Sequence, residues 1–179
     1  GGFMPKRPRL IVVANRLPVN RVHGATPTGG RRARWHSSSG GLVTALAPIL
    51  KQCDGTWVGW TRSADRAVRP FSFDGLKIRP VPVTEREQDA YYNHISNRML
   101  WPLYHDAIRT PEFDHQYWRP YVAVNQRFAE ATADIARRGD VVWVHDYHLQ
   151  LVPRMLRDLR PDLRIGFFLH IPFPPEELF

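Results

Sequence analysis

Three residues with useful chemistry follow apolar runs. Arg16 comes after Leu10 to Ala14, Asp146 after Val141 to Val144, and His170 after Ile165 to Leu169. Runs of this length predict buried strands. Between the last two, Leu149, Val152, Met155, Leu156 and Leu159 recur at helical spacing. Strand, helix and strand form a βαβ unit, so these two strands are expected to be parallel. Open parallel sheets bind ligands in the crevice beyond the carboxyl ends of their strands. Asp146 and His170 are expected there side by side, with Arg16 at a third strand end. A guanidinium fork matches phosphate oxygens, while a carboxylate and an imidazole orient hydroxyls by hydrogen bonding. Polar groups at strand ends are costly unless paired or used.

A further candidate is Ser37-Ser38-Ser39-Gly40-Gly41, which precedes an apolar helical pattern from Leu42 to Leu50. Small residues allow close backbone approach, and a helix N-terminus offers free N–H groups and a positive dipole end. That combination can cradle a diphosphate. It is neither a Walker loop nor GxGxxG, and by residue type it also fits a flexible turn. The other candidates have equally plain alternatives. Arg16 could serve a surface ion pair. Tyr92 and Trp101, nine residues apart, read by themselves as core aromatics. His145, Asp146, His148 and His170 raise the question of a metal site. Their first three members crowd one loop and no second carboxylate accompanies them, so no metal is expected. His145 and His148 read as structural.

The remaining elements must position these groups. Thr56 to Trp60 reads as a strand, and Phe71 to Phe73 and Lys77 to Val83 as two more, joined by a turn at Asp74-Gly75. Thr84 and Glu87 form a capping box. The helix it opens carries Tyr91, Tyr92, Asn93, His94 and Trp101, and Pro102 should end or kink it. A long amphipathic helix is expected from Trp118 to Arg138. Its buried stripe is Tyr121, Val124, Phe128, Ala131 and Ile135, with Gly139 as C-cap. Arg21 to Ser39, which contains Arg31, Arg32, Arg34 and His36, is expected to be a mobile loop. The fold class is α/β, a Rossmann-like parallel sheet flanked by helices. Residues 1–9 read as a flexible leader and 10–179 as one domain.

Composition sets outer bounds. A chain of 179 residues can build one domain with a real core. Hydrophobic content of 43% and charged content of 23% are ordinary for a globular protein. No apolar run approaches the roughly 20 residues that span a bilayer, so no membrane partner is expected. The opening GGFMPKRPRL has no signal-peptide core. The lone Cys53 excludes an intrachain disulfide and fits a reducing cytoplasm. A net charge of +8 points to an anionic partner. The basic residues form no single stripe, so that partner is not expected to be a nucleic acid.

Seven segments then occur in one order: VVANRLPV, SSGGL, WVGW, YYN, LWPLYH, VWVHDYHL and GFFLHIPFPP. On these motifs the chain, from about Leu10 to Phe179, resembles the trehalose-6-phosphate synthases, retaining glucosyltransferases of family 20. The resemblance implies a GT-B architecture, two Rossmann-like domains facing a cleft, with this chain as the N-terminal, acceptor-binding domain. The implied reaction moves glucose from a nucleotide sugar, usually UDP-glucose, to glucose 6-phosphate, giving α,α-trehalose 6-phosphate. Arg16, Tyr92 and Trp101 would hold glucose 6-phosphate. Gly41, with Gly40, would approach the donor diphosphate. Asp146 would contact the acceptor sugar and His170 the donor glucose, with Trp60 as a further lining residue. The implied reaction runs at one face of the sugar with no metal or other cofactor. In it the leaving phosphate takes the acceptor's proton, and Asp146 and His170 orient rather than form a covalent intermediate. The donor-binding residues of the second domain have no counterpart before Phe179, and the full-length protein is expected to be a homo-oligomer. The alternatives are a related or pseudo-glycosyltransferase with another acceptor, and a non-enzymatic sugar-phosphate-binding module.

Overall fold

The computed structural model describes residues 7–25, 31–61, 69–100 and 115–170. Its centre is β1, Leu10–Arg16, whose residues Ile11, Val12 and Val13 are almost wholly buried. Successive strand side chains face opposite ways, so a strand apolar at every position needs cover on both sides of the sheet. On one side, Ile11 and Val13 join a core with Tyr121, Val124, Phe128 and Leu156. On the other, Val12 and Ala14 join Leu46, Leu50, Trp57 and Ile78. Helices α3, His115–Ile135, and α4, Val152–Leu159, supply the first layer. Helix α1, Gly41–Gln52, supplies the second.

The sheet has six strands. From one edge they are β5 (Phe71–Phe73), β6 (Leu76–Val81), β4 (Thr56–Trp60), β1, β7 (Val141–His145) and β8 (Arg164–Phe168). All pairings are parallel except β5 with β6. The expected βαβ unit is present as β7, α4 and β8. The chain leaves β1 for β4 on one side and returns to β7 on the other, which makes the end of β1 a topological switch point. That is where open α/β sheets form their binding crevice.

Local features aim β1 at the crevice. Val13 pairs with Val58 but Arg16 pairs with Trp60, so β1 carries one extra residue over this stretch. Such bulges re-aim side chains. The Trp57 indole N–H donates to the Arg16 carbonyl at 2.9 Å, and the Leu17 N–H to the Trp60 carbonyl at 3.1 Å. Gly59 makes this approach possible: a Cβ there would lie 2.9 Å from both the Arg16 carbonyl carbon and the Leu17 nitrogen. Both contacts are backbone and cannot swing aside. Gly59→Ala is therefore expected to cost about 1–3 kcal/mol of stability, read from the denaturant midpoint. An unchanged midpoint would show that Arg16 is not held this way.

Two expectations need correction. Much of Arg21 to Ser39 is not a loop: β2 (Val19–Ala25) and β3 (Arg31–Ser37) pair antiparallel as a separate ribbon. Trp35 stacks on Phe71 at 4.6 Å, and the Arg21 guanidinium lies 6.0 Å from the Trp35 ring. A two-stranded ribbon buries little, so its composition stays polar and resembles a loop. The helix opened by Thr84 is also not regular. The capping box forms as expected around α2, Glu85–Gln88, and the chain then widens into π-helical turns over Asp89–Leu100. Trp101 and Pro102 lie outside the described residues.

The long helix ends at Ile135, three residues early. The buried Asp140 carboxylate explains the stop. It accepts from the backbone N–H groups of Arg9 and Arg137 and pairs with the Arg9 guanidinium at 3.1 Å. Arg160 donates to the Ala133 and Ala136 carbonyls, which satisfies the helix end. Gly139 turns the chain at φ 78°.

Candidate active site

A cleft of about 300 Å³ opens at the carboxyl ends of β1 and β7. Arg16, Gly40, Tyr92, Asp146 and His170 all line it, although they come from five separate segments. Gly41 is the first residue of α1, beside the lining residues Gly40 and Leu42. Trp60 lies behind the wall, 1% exposed, with its ring 6.2 Å from Tyr92. Trp57, Asn15 and His148, which sequence reasoning did not single out for the site, line the cleft instead.

Arg16 is exposed and donates through Nη2 to the Tyr92 hydroxyl at 3.0 Å. Tyr92 is held in turn by a stack. Its ring lies 5.5 Å from His148 at an interplanar angle of 10°, and His148 lies 4.2 Å from Tyr147. Burial, and secondarily the Arg16 charge, push His148 down to about 3. It is neutral at physiological pH and does not compete with Arg16 for an anion. Next to Tyr92, the buried Tyr91 donates to Asn15 Oδ1 at 2.6 Å and so ties the π-helical segment to the end of β1.

Asp146 leaves β7 with φ 70° and ψ 169°, a backbone region that is costly for any residue with a side chain. Several bonds hold it there. Its N–H donates to the Phe168 carbonyl at 2.8 Å, and its carboxylate accepts from the Tyr147 N–H at 2.9 Å. The short 3₁₀ turn Tyr147–Leu149 is clamped from α3. Tyr121 donates to the Tyr147 carbonyl, and the fully buried Asn125 bonds both the His148 carbonyl and the Leu151 N–H. An Asn inside the apolar stripe of an amphipathic helix was the available signal for this clamp.

His170 lines the cleft from beyond β8, and its Nε2 lies 3.0 Å from Nδ1 of His145. His145 is 2% exposed and is pushed down to about 4, first by burial and then by the neighbouring His170. The opposite wall is the N-terminus of α1. Gly40 supplies no side-chain cap, and no acidic residue occupies the first turn. A Cβ at Gly40 or Gly41 would meet nothing within 4 Å, so packing does not require glycine there. The free N–H groups and the dipole of this 12-residue helix face open space suited to an anion. Among the described residues, no three His, Cys, Asp or Glu side chains are grouped to hold a metal ion, and no helix is long and apolar enough to cross a membrane.

The two depressed histidines predict a pH dependence. Both are near 6.5 when unfolded and far lower when folded, so the unfolded chain binds more protons below pH 6.5. Stability is therefore complete above about pH 6.5 and is lost as pH falls. The slope is up to ~1.4 kcal/mol per pH unit for each histidine. Thermal midpoints between pH 6.5 and 5 should fall accordingly, and His148→Phe should flatten the profile. A flat profile in the parent protein would contradict the burial of both rings.

Residues 8–179 match the sequence profile of glycosyltransferase family 20. The trehalose-6-phosphate synthase of Mycolicibacterium smegmatis is 54% identical over 170 residues, covering 95% of this chain and 33% of that protein. Among solved structures, the α,α-trehalose 6-phosphate synthase of Burkholderia multivorans superposes with a TM-score of 0.78 at 35% identity. That match covers 96% of this chain and 35% of the other. A related E. coli protein, with TM-score 0.76 and 33% identity over 96% of this chain and 35% of its own, was solved with UDP-2-fluoro glucose. A Burkholderia xenovorans synthase, with TM-score 0.73 and 32% identity over 95% of this chain and 35% of its own, was solved with glucose 6-phosphate. The chain thus spans about a third of the length of the relatives it matches. With the parallel sheet, the switch-point cleft and a profile match across nearly every residue, the chain belongs to glycosyltransferase family 20.

Proposed function

We propose that the protein transfers glucose from a nucleotide sugar, UDP-glucose or a close analogue, to glucose 6-phosphate. The product is α,α-trehalose 6-phosphate, and this chain supplies the acceptor-binding part. One observation carries the reading: the Arg16–Tyr92 pair lines the same cleft as Asp146, His170 and Gly40 at the uncapped α1 N-terminus. The Arg16 fork takes the acceptor's phosphate, with the Tyr92 hydroxyl beside it. Trp101 belongs to the same subsite by resemblance. The Asp146 carboxylate accepts a hydrogen bond from an acceptor hydroxyl, and His170 bonds the donor glucose. The α1 N–H groups at Gly40 and Gly41 face the donor diphosphate, where negative charge grows as the glycosidic bond breaks. Attack occurs on the face the diphosphate leaves, so configuration is retained, and the departing phosphate takes the acceptor's proton.

The donor nucleotide is a substrate and is held mainly by a second domain. The full-length protein is a homo-oligomer in this reading, and the lone Cys53 supports a cytoplasmic setting. The test is product analysis. Full-length protein supplied with UDP-glucose and glucose 6-phosphate should release UDP and form an α,α-linked disaccharide phosphate, and other hexose phosphates should compete poorly. Transfer to a different acceptor in preference would replace this reading with that of a related glycosyltransferase.

A further inference from the structure

We propose that His145 is a positioning residue whose ring N–H sets the tautomer of His170, so that His170 presents its Nδ1–H to the sugar in the cleft. This rests on the reading of His170 as a donor-glucose contact. The geometry supplies the rest. His145 ends β7 and His170 follows β8, adjacent parallel strands in which His145 pairs with Phe168. The two rings are stacked at 5.2 Å and 23°, with Nδ1 of His145 3.0 Å from Nε2 of His170. One of these nitrogens must donate and the other accept.

Nε2 of His145 decides which. It is buried and has no hydrogen-bond partner among the described residues. The ring sits in an aromatic sleeve, 5.0 Å from Trp143 and 6.3 Å from Phe168. A hydrogen placed on Nε2 would be a buried donor with no acceptor, which native structures rarely tolerate. The hydrogen therefore belongs on Nδ1, where His170 Nε2 accepts it. Burial keeps His145 neutral, so the ring has no second proton to give. His170 Nε2 is then occupied as an acceptor, and the ring hydrogen of His170 resides on Nδ1. A donor at that position suits a sugar hydroxyl oxygen. The reversed tautomer would offer a lone pair instead, and the preference between donating and accepting at the sugar would invert.

The test combines spectroscopy with rescue. Long-range ¹H–¹⁵N spectra of ¹⁵N-histidine-labelled protein should show His145 protonated on Nδ1 and bare on Nε2, with His170 protonated on Nδ1. A His145 protonated on Nε2 overturns the proposal, whatever the activity. In the full-length protein, His145→Leu should lower kcat/KM for UDP-glucose on the order of tenfold. KM for glucose 6-phosphate should change little. His145→Asn, whose amide N–H replaces the Nδ1 donor, should recover most of the loss. Equal loss in Asn and Leu variants that unfold at the same temperature, or no loss in either, overturns the proposal. His170→Ala with undiminished transfer would remove His170 from the site and sink the underlying reading, while leaving the tautomer assignment to the spectra.

Discussion

Arg16→Ala is expected to weaken glucose 6-phosphate binding by about 10–200-fold while the protein stays folded. The range follows from the worth of a charge-assisted hydrogen bond, about 1.5–3 kcal/mol. The side chain is exposed, and its bond to the Tyr92 hydroxyl is also exposed, so truncation opens no cavity. β1 is held by its pairing with β4 and β7 and, at its end, by the Arg16 carbonyl accepting from Trp57, all of which alanine keeps. Binding and stability should therefore separate. Arg16→Lys should recover only part of the affinity, because an ammonium replaces a planar fork. Titration of the variant gives the answer, and unchanged affinity removes Arg16 from the phosphate subsite.

Substitutions at Asp146 should split function from stability differently. Asp146→Gly and Asp146→Ala are both expected to lower kcat on the order of 10²-fold, because the acceptor hydroxyl loses its orienting carboxylate. Their stabilities should diverge. Both lose the bond from the Tyr147 N–H, worth about 1 kcal/mol. Glycine also relieves the strain of φ 70°, about 1–3 kcal/mol, at an entropic cost of up to about 1 kcal/mol. Asp146→Gly should thus fall between about 1 kcal/mol less stable and about 2 kcal/mol more stable than the parent protein, while Asp146→Ala falls by about 1–2 kcal/mol. Equal denaturant midpoints for the two variants would show that the backbone at Asp146 is not strained. Covalent trapping of glucose on Asp146 would replace its orienting role with a nucleophilic one.

The strand ends were legible because the signal is local. Apolar runs at Leu10, Val141 and Ile165, each followed by polar residues, required a parallel sheet and put Arg16, Asp146 and His170 at its carboxyl edge. What stayed hidden depends on register. WVGW forms a strand buried on both faces, so alternation could not say which tryptophan meets the cleft. Both tryptophans are buried, in the cores on opposite sides of the sheet, and only Trp57 also borders the cleft. The partnership of His145 with His170 is set by strand pairing between distant segments, and no spacing rule within one segment reveals it. The helix reading rested on the Thr84–Glu87 capping box, which fixes where a helix starts but not its winding, so the π-helical turns that bring Tyr91 to Asn15 and Tyr92 to Arg16 were not legible. The β2–β3 ribbon was missed because basic and glycine-rich composition outweighed its few strand-forming residues, Val19, Val22 and Trp35.

Calorimetric titration with glucose 6-phosphate, and separately with UDP-glucose, bears most directly on the acceptor-site assignment. This chain should bind glucose 6-phosphate saturably and UDP-glucose only feebly, and the full-length protein should bind both. If neither this chain nor the full-length protein binds glucose 6-phosphate, the assignment of Arg16, Tyr92 and Asp146 to the acceptor is contradicted.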